Sequence, residues 1–444
     1  MGQTVLTINM KRRVIYGAVA LALCVNFLVG ARLYLRAAEK DSVYPSMELF
    51  AYVMERVRKD YVDGRNLTYQ DLVYGALKGM LSTLDPHSEF MDPQKYRELQ
   101  NDTQGAFGGL GISLSVKDTF LTVVVSRTNT PAWRAGIMSG DRIVKIEGKS
   151  TEKMTTDDAV KNLRGEPGTE VRLTVFRPSA NQFKDYKLTR AVINVDMVTD
   201  LHERQEFKLG ENKIGYVHLI QFGEKTDDDL EAALRKLTKQ GMRGLVLDLR
   251  NNPGGLLDQA VDVCSKFLPR GQLVVTTEGR NSAQDSRREA NGHDELDGMP
   301  IVVLINDGSA SASEIVAGCL QDLKRAVILG ERSFGKGSVQ SILPLQDGSA
   351  LRLTTAKYYT PSHKVIHEEG IMPDIVVGLS PEENRAVQTQ LIPGGLESLD
   401  EKERQAVLAI GDPQLQRAMD LLKGITLYTL RSGRPEQRVA QRGT

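Results

Sequence analysis

Ile301-Val-Val-Leu-Ile-Asn-Asp-Gly-Ser-Ala-Ser-Ala-Ser-Glu314 is the stretch on which the fold turns. An apolar, mostly β-branched run reads as a buried strand, small polar residues break it, and Ala312 to Lys324 continue as a helix. Ala326-Val-Ile-Leu329 is then the next strand. The same alternation runs upstream: strand Ile214 to Ile220, helix Thr226 to Gln240, strand Gly244 to Leu249, helix Leu256 to Leu268. Short apolar strands alternating with helices predict βαβ units and an α/β core with a mostly parallel sheet. Arg280 to Asp297 is polar and reads as a mobile surface stretch.

That topology brings three loops to one edge. Ser311 follows the 301–305 strand, Arg250-Asn-Asn-Pro-Gly-Gly255 follows the 244–249 strand, and Ser333-Phe-Gly-Lys-Gly-Ser-Val-Gln340 follows the 326–329 strand. Open α/β sheets bind ligands at this carboxyl edge. Taken alone, Ser311-Ala-Ser-Glu314 is a capping box, and Asn-Asn-Pro-Gly-Gly is a tight turn. Together the loops offer a nucleophile, Ser311, and a base, Lys336, provided that the lysine amine is neutral. A free lysine titrates near ~10.4, so the site must desolvate it. Phe334 supplies apolar surface and the flanking glycines allow close approach. Gln340, facing the same side in a strand from Ser338 to Leu343, can orient the amine without adding charge. The N–H of Ala312 at the helix start and that of Gly255, preferred to Gly254, are candidate oxyanion donors.

The chain has 444 residues, enough for about three units. It is 41% hydrophobic, and its 57 basic and 57 acidic residues cancel, which speaks for packed cores and against nucleic-acid binding. Residues 45–100 read as an N-terminal helical region. Residues 104–190 are rich in short strands. Residues 191–380 hold the α/β core, and 381–444 form a polar segment with one helix, Gln414 to Leu422, and a loose tail from Arg431. At the N-terminus Lys11-Arg-Arg13 precedes an uncharged run, Val14 to Ala31, of roughly 27 Å as a helix. Residues 1–36 are therefore a signal peptide or a membrane anchor, with the anchor favoured, and the body is exported. Cys24, Cys264 and Cys319 form no framework; the last two read as small buried hydrophobes, and a bridge between them stays open.

Gly108-Gly-Leu-Gly-Ile-Ser-Leu114, followed by Ala135-Gly-x-x-x-Gly-Asp-x-Ile143, resembles a PDZ domain. The resemblance implies that backbone N–H groups of Gly109, Leu110, Gly111 and Ile112 take a peptide's terminal carboxylate, and that the peptide adds as a strand. Leu247-Asp-Leu-Arg-Asn-Asn-Pro-Gly-Gly255, Gly308 to Ile315, Phe334 to Gln340 and Tyr358-Tyr-Thr-Pro-Ser362 are similar to the C-terminal processing peptidases, over about residues 45–380. That resemblance implies a Ser/Lys dyad with a supporting glutamine, selects Ser311 over Ser309 and Ser313, and makes Arg164 a link from the PDZ domain to the active site. It implies protein substrates bound by their C-termini. The N-terminal pattern places the body in a bacterial cell envelope, anchored at the inner membrane and facing the periplasm or extracytoplasmic space; oligomeric state is open, with the N-terminal helices and C-terminal segment as candidate interfaces for a homo-oligomer or activating partner, and no cofactor or metal is expected.

Other readings are weighed on the same residues. His363 stands where the family often has glycine, with His367 nearby; the pair reads as a surface turn rather than a catalyst or metal site. His87 reads as a turn or packing residue. A penicillin-recognising enzyme would need a lysine three residues after Ser311, where Glu314 stands. A non-catalytic PDZ tether would have little need for Ser311, Lys336 and Gln340 together.

Overall fold

The computed structural model describes residues 43–431, apart from 65–66, 118, 128, 153, 195, 202–203, 293–295, 297, 392–394 and 397–398, together with residues 16, 21 and 23–27. The chain divides into two compact units after Leu84. The first holds helices Val43–Asp60 and Tyr69–Ser82, the second opened by a capping box between Thr68 and Asp71. Most of the 14–31 run lies outside the described residues, as does the tail beyond Arg431. Among the described residues no helix is long and apolar enough to cross a membrane.

The second unit is built on a six-stranded sheet in the order β10 (Val198–Thr199), β11 (Ile214–Leu219), β12 (Gly244–Asp248), β15 (Ile301–Ile305), β16 (Val327–Gly330), β19 (Ile375–Val376). All its neighbours are parallel except β10 with β11. This is the sheet that the apolar runs predict. Its middle strands β11, β12 and β15 are buried on both faces, which is why they read as continuous rather than alternating. Leu245, Leu247, Val303 and Ile305 pack one way, under helices Thr226–Lys239, Leu257–Ser265 and Ala312–Asp322. Val246, Val302 and Leu304 pack the other way, against Ala418 and Leu422 of helix Pro413–Arg431.

Residues 381–431 thus carry three helices, Pro381–Leu391, Glu401–Ile410 and Pro413–Arg431, where the sequence suggested one. Their apolar stripes are thin; Leu422, fully buried, contributes about 1.5–3 kcal/mol by covering the sheet.

A second, antiparallel sheet is foreshadowed in the sequence reading only by the strand from Ser338 to Leu343. It runs β1 (Glu89–Met91), β18 (Ala350–Tyr359), β13 (Leu273–Gly279), β14 (Ser286–Glu289), with β17 (Ser338–Pro344) also paired to β18. β14 lies inside the stretch read as a polar loop, and β1 inside the region read as helical. Ser-Arg-Arg-Glu and Glu-Phe-Met are too short or too polar to show a period of two. The glutamine-bearing strand belongs to this sheet, so the catalytic candidates sit where two sheets meet.

Between them in sequence is a separate small barrel with its own core of Leu121, Val123, Ile143, Ile146, Val171 and Leu173. Its strands run β3 (Ile112–Lys117), β4 (Phe120–Ser126), β5 (Arg142–Ile146), β7 (Glu170–Arg177), β8 (Gln182–Thr189), with β6 (Lys149–Ser150) on β5. β3 ends the sheet, and helix Thr156–Leu163 lies beside it.

Candidate active site

Ser311 stands between β15 and its helix with φ 56° and ψ −111°, an uncommon conformation for a residue with a side chain. Its neighbours explain how it is held. Asn306 Oδ1 accepts from the Asn251 N–H at 2.8 Å, and the Ala310 N–H donates to the Asn252 carbonyl at 3.0 Å. Of the three serines, two have structural partners: Ser309 Oγ donates to the Leu249 carbonyl (2.8 Å) and Ser313 Oγ to the Asn252 carbonyl (2.9 Å). Both are fully buried, whereas Ser311 keeps 6% of its surface exposed.

Glu314 does more than cap a helix. Its Oε2 accepts from the Ser311 N–H (2.7 Å) and from the Lys336 N–H (2.9 Å). Its Oε1 accepts from Ser333 Oγ (2.6 Å) and the Gly335 N–H (2.7 Å). One buried carboxylate therefore ties the serine turn to the lysine loop, and a shared oxygen keeps their backbones within two hydrogen-bond lengths. Burial raises the Glu314 carboxyl above its usual value, and these four donors oppose that rise. S/T-x-x-E signals a capping box; nothing in the sequence pairs Glu314 with residues twenty positions on.

Burial lowers the Lys336 amine below the usual lysine value, Arg352 adds to the fall, and Glu314 opposes it. Phe334, expected to cover the amine, is 61% exposed. The lysine instead shares its surroundings with Arg352 and with His87, whose own value falls through burial and then through the charge of Lys336. Among the described residues no hydrogen bond joins Ser311 Oγ to Lys336 Nζ. The Ser311 side chain interacts with the Tyr358 phenol on β18, which burial pushes up to about 12 and Ser311 pulls back. Tyr358 belongs to a motif read as family signature only.

Gln340 lies on β17 just after a register shift between Val339 and Gln340. Its Nε2 donates to Ser338 Oγ (2.9 Å) and Thr354 Oγ1 (3.4 Å), so its amide meets hydroxyls and not the lysine. The two expected oxyanion donors stand differently from Gly254. The Gly254 N–H is taken by Asn252 Oδ1 at 2.9 Å, while the N–H groups of Gly255 and Ala312 have no acceptor among the described residues. Gly254 is the residue pressed against the serine: a Cβ there would lie 2.8 Å from Ser311 Cβ and 2.9 Å from the Ala312 nitrogen. Beneath this turn, Arg250 is buried between Asp248 and Asp412, with the Tyr216 hydroxyl also on Asp248.

The histidines part company. His363 is exposed, stacks on Tyr359 and pairs with Glu278 at 2.8 Å, as a surface residue does. His367 lies in the turn Ile366–Gly370 and is half-buried: it packs against Gly337, and its Nδ1 is buried without a hydrogen-bond partner among the described residues. Cys264 and Cys319 are both buried and free, with their thiols interacting.

In the small barrel, Gly109, Leu110, Gly111 and Ile112 line a groove of about 160 Å³ with Phe107, Leu114, Val160, Leu163 and Arg164. The carbonyls of Leu110 and Gly111 are bonded inward, to the N–H groups of Ala132 and Arg127, while their own N–H groups have no acceptor among the described residues. Arg164 lines the groove, stacks over Phe107 and pairs with Asp102 at 3.0 Å.

Residues 213–377 match peptidase family S41, and residues 122–177 match a PDZ domain. The chain is 42% identical over 432 residues to the carboxy-terminal-processing protease of Bartonella bacilliformis, covering 94% of this chain and 96% of that one. It is 38% identical over 324 residues to the carboxyl-terminal-processing protease of Synechocystis, covering 72% of this chain and 74% of that one. Among solved structures, an S41-type protein from Bacteroides fragilis superposes with a TM-score of 0.50 at 19% identity, covering 84% of this chain and 97% of that one, a likeness of fold.

Proposed function

This chain belongs to peptidase family S41, as a serine protease of the carboxy-terminal-processing kind, and we propose that it cleaves proteins near their C-termini with Ser311 as nucleophile and Lys336 as base. The observation that carries the assignment is the Glu314 carboxylate, which takes the Ser311 and Lys336 N–H groups on one oxygen. The neutral Lys336 amine removes the Oγ proton as Ser311 attacks the scissile carbonyl. The oxyanion that forms is met by the Ala312 and Gly255 N–H groups, both without other acceptors among the described residues. The resulting ammonium returns its proton to the leaving amine, an acyl-enzyme remains, and water activated by the same amine hydrolyses it. Gln340 supports Lys336 in this cycle.

The PDZ groove receives the substrate's C-terminus: its carboxylate on the Leu110 and Gly111 N–H groups, its apolar end among Ile112, Val160 and Leu163, its backbone along the open edge of β3. Arg164, bonded to Asp102 at the end of helix Pro93–Thr103, couples that groove to the catalytic half. The basic-then-apolar pattern at residues 11–31 supports export and a membrane anchor. Ser311→Ala and Lys336→Ala are expected to abolish cleavage of a peptide with an apolar C-terminal tail while binding of that peptide persists. Full turnover in either variant would refute the dyad.

A further inference from the structure

The turn Asp85-Pro-His-Ser88 packs on β18 beside Gln340: the Thr354 N–H donates to Ser88 Oγ at 3.1 Å, and Ser88 Oγ lies 3.4 Å from Thr354 Oγ1. Asp85 Oδ1 accepts from the His87 and Ser88 N–H groups, each at 2.8 Å, and from Thr354 Oγ1 at 3.2 Å; Oδ2 accepts from Ser88 Oγ at 2.7 Å. An ionised carboxylate can only accept. Burial pulls the Asp85 carboxyl up, but the bonds from Ser88, His87 and Thr354 outweigh it and hold it below the usual range. The Thr354 proton therefore points to Asp85, and what Thr354 has left for Gln340 is a lone pair. Only the amide's N–H₂ end can meet it, which is the Nε2···Thr354 Oγ1 contact at 3.4 Å, with the second N–H on Ser338 Oγ at 2.9 Å. A reversed amide would set its oxygen against the Thr354 lone pair.

We propose that Asp85, acting through Thr354, fixes the polarity of the Gln340 amide so that Oε1 is the end left for Lys336, which makes Asp85 and Thr354 positioning residues of the active site. Oε1 has no hydrogen-bond partner among the described residues. An acceptor there takes one amine N–H of Lys336 and leaves the nitrogen lone pair for the Ser311 proton. The relay rests on the reading of Gln340 as the support of Lys336. It also gives the Asp85 turn, of which the sequence reading singled out only His87, a part in positioning the active site.

A double-mutant cycle on the full chain tests it, with a fluorogenic peptide as substrate and PDZ-peptide affinity as the control for folding. Gln340→Ala lowers kcat. Thr354→Val, which keeps shape and loses the hydroxyl, lowers kcat about tenfold, as loss of one orienting hydrogen bond does, with KM unchanged; Thr354→Ser restores it. In the Gln340→Ala background, Thr354→Val and Asp85→Ala cause no further fall, because the group they act through is gone. Additive losses in that background, or wild-type kcat for Thr354→Val, would overturn the relay while leaving Gln340 in place. Wild-type kcat for Gln340→Ala would overturn the support reading and the relay with it. Should Thr354→Val fail to fold, Asp85→Ala in both backgrounds gives the same cycle.

Discussion

Replacing Glu314 by glutamine changes two atoms' chemistry and almost no volume. The wild-type carboxylate fills four acceptor positions, two per oxygen, with Ser311 N–H and Lys336 N–H on one side and Ser333 Oγ and Gly335 N–H on the other. A glutamine keeps one oxygen. It settles with its N–H₂ toward Ser333, whose hydroxyl can turn and accept, so that the oxygen still serves Ser311 and Lys336. The Gly335 N–H then faces another donor, in a site with no exposure. One charge-assisted bond is lost and a buried donor is stranded, and the remaining bonds lose their charge assistance; together this costs about 2–4 kcal/mol. The loss is shared between the folded state and the geometry of the dyad. If most falls on the dyad, kcat/KM drops between about ten- and a thousandfold, at roughly 1.4 kcal/mol per decade. Steady-state cleavage and urea unfolding of the same preparation separate the shares. Wild-type kcat/KM together with an unchanged unfolding midpoint would refute the clamp.

Arg352→Met removes the cation that helps hold the Lys336 amine down. In the proposed mechanism the neutral amine is the active form, so a higher amine value shifts the rising limb of the pH–rate profile to higher pH, with activity recovered above it; an unmoved limb would remove Arg352 from the account. Gly254→Ala places a methyl 2.7 Å from the Ala310 carbonyl at φ +97° and is expected to lower kcat at least about tenfold. Gly136→Ala, at φ +81° in open space, costs about 1–2 kcal/mol of stability and leaves cleavage intact, as thermal denaturation and assay will show. Val160→Asp sets a negative charge in the PDZ groove and raises KM for tailed protein substrates about tenfold, with turnover of short peptides unchanged; an equal loss for both would refute the groove as a tail site.

The βαβ core was legible because its middle strands are buried on both faces and its helices obey a three-to-four spacing. Residues 301–329 announce both, and the resulting parallel order brings Ser311 and Lys336 to one sheet edge. Apart from the strand from Ser338 to Leu343, the antiparallel sheet was not legible: Ser286–Glu289 is polar and surface-facing, and Glu89–Met91 gains its identity only by pairing with β18. Among site residues, Ser311 could be chosen in the sequence by resemblance, yet the physical reason for the choice, that Ser309 and Ser313 hydroxyls serve carbonyls of the 249–252 turn, lies in contacts sixty residues apart. Glu314 shows the limit from the other side. Its capping signature is correct for Ser311, and it hides the three bonds to residues 333–336, which no local pattern encodes. Phe334 misled because an aromatic beside a lysine suggests cover, while the loop turns its N–H groups inward to Glu314 and leaves the ring outside.

Each loop of the site is fixed by its own device. Glu314 joins the serine turn to the lysine loop. Arg250, held by Asp248 and Asp412, anchors the start of the Asn251–Gly255 turn, and Asn252 closes it on the Gly254 N–H. In the proposed relay the half-buried Thr354 and Asp85 set the glutamine. Breaking any of these would strand buried polar groups, at about 1–3 kcal/mol for each one left unpaired and more where a charge is involved. Ser311 Oγ and Lys336 Nζ share no hydrogen bond among the described residues, while their backbones are tied through Glu314. Ordering a lysine side chain costs about 1.5–2 kcal/mol, less than the loss of the Glu314 bonds. In the proposed mechanism, substrate binding turns two side chains on this frame rather than building it, and a PDZ domain acting through the Arg164–Asp102 pair has only that small difference to supply.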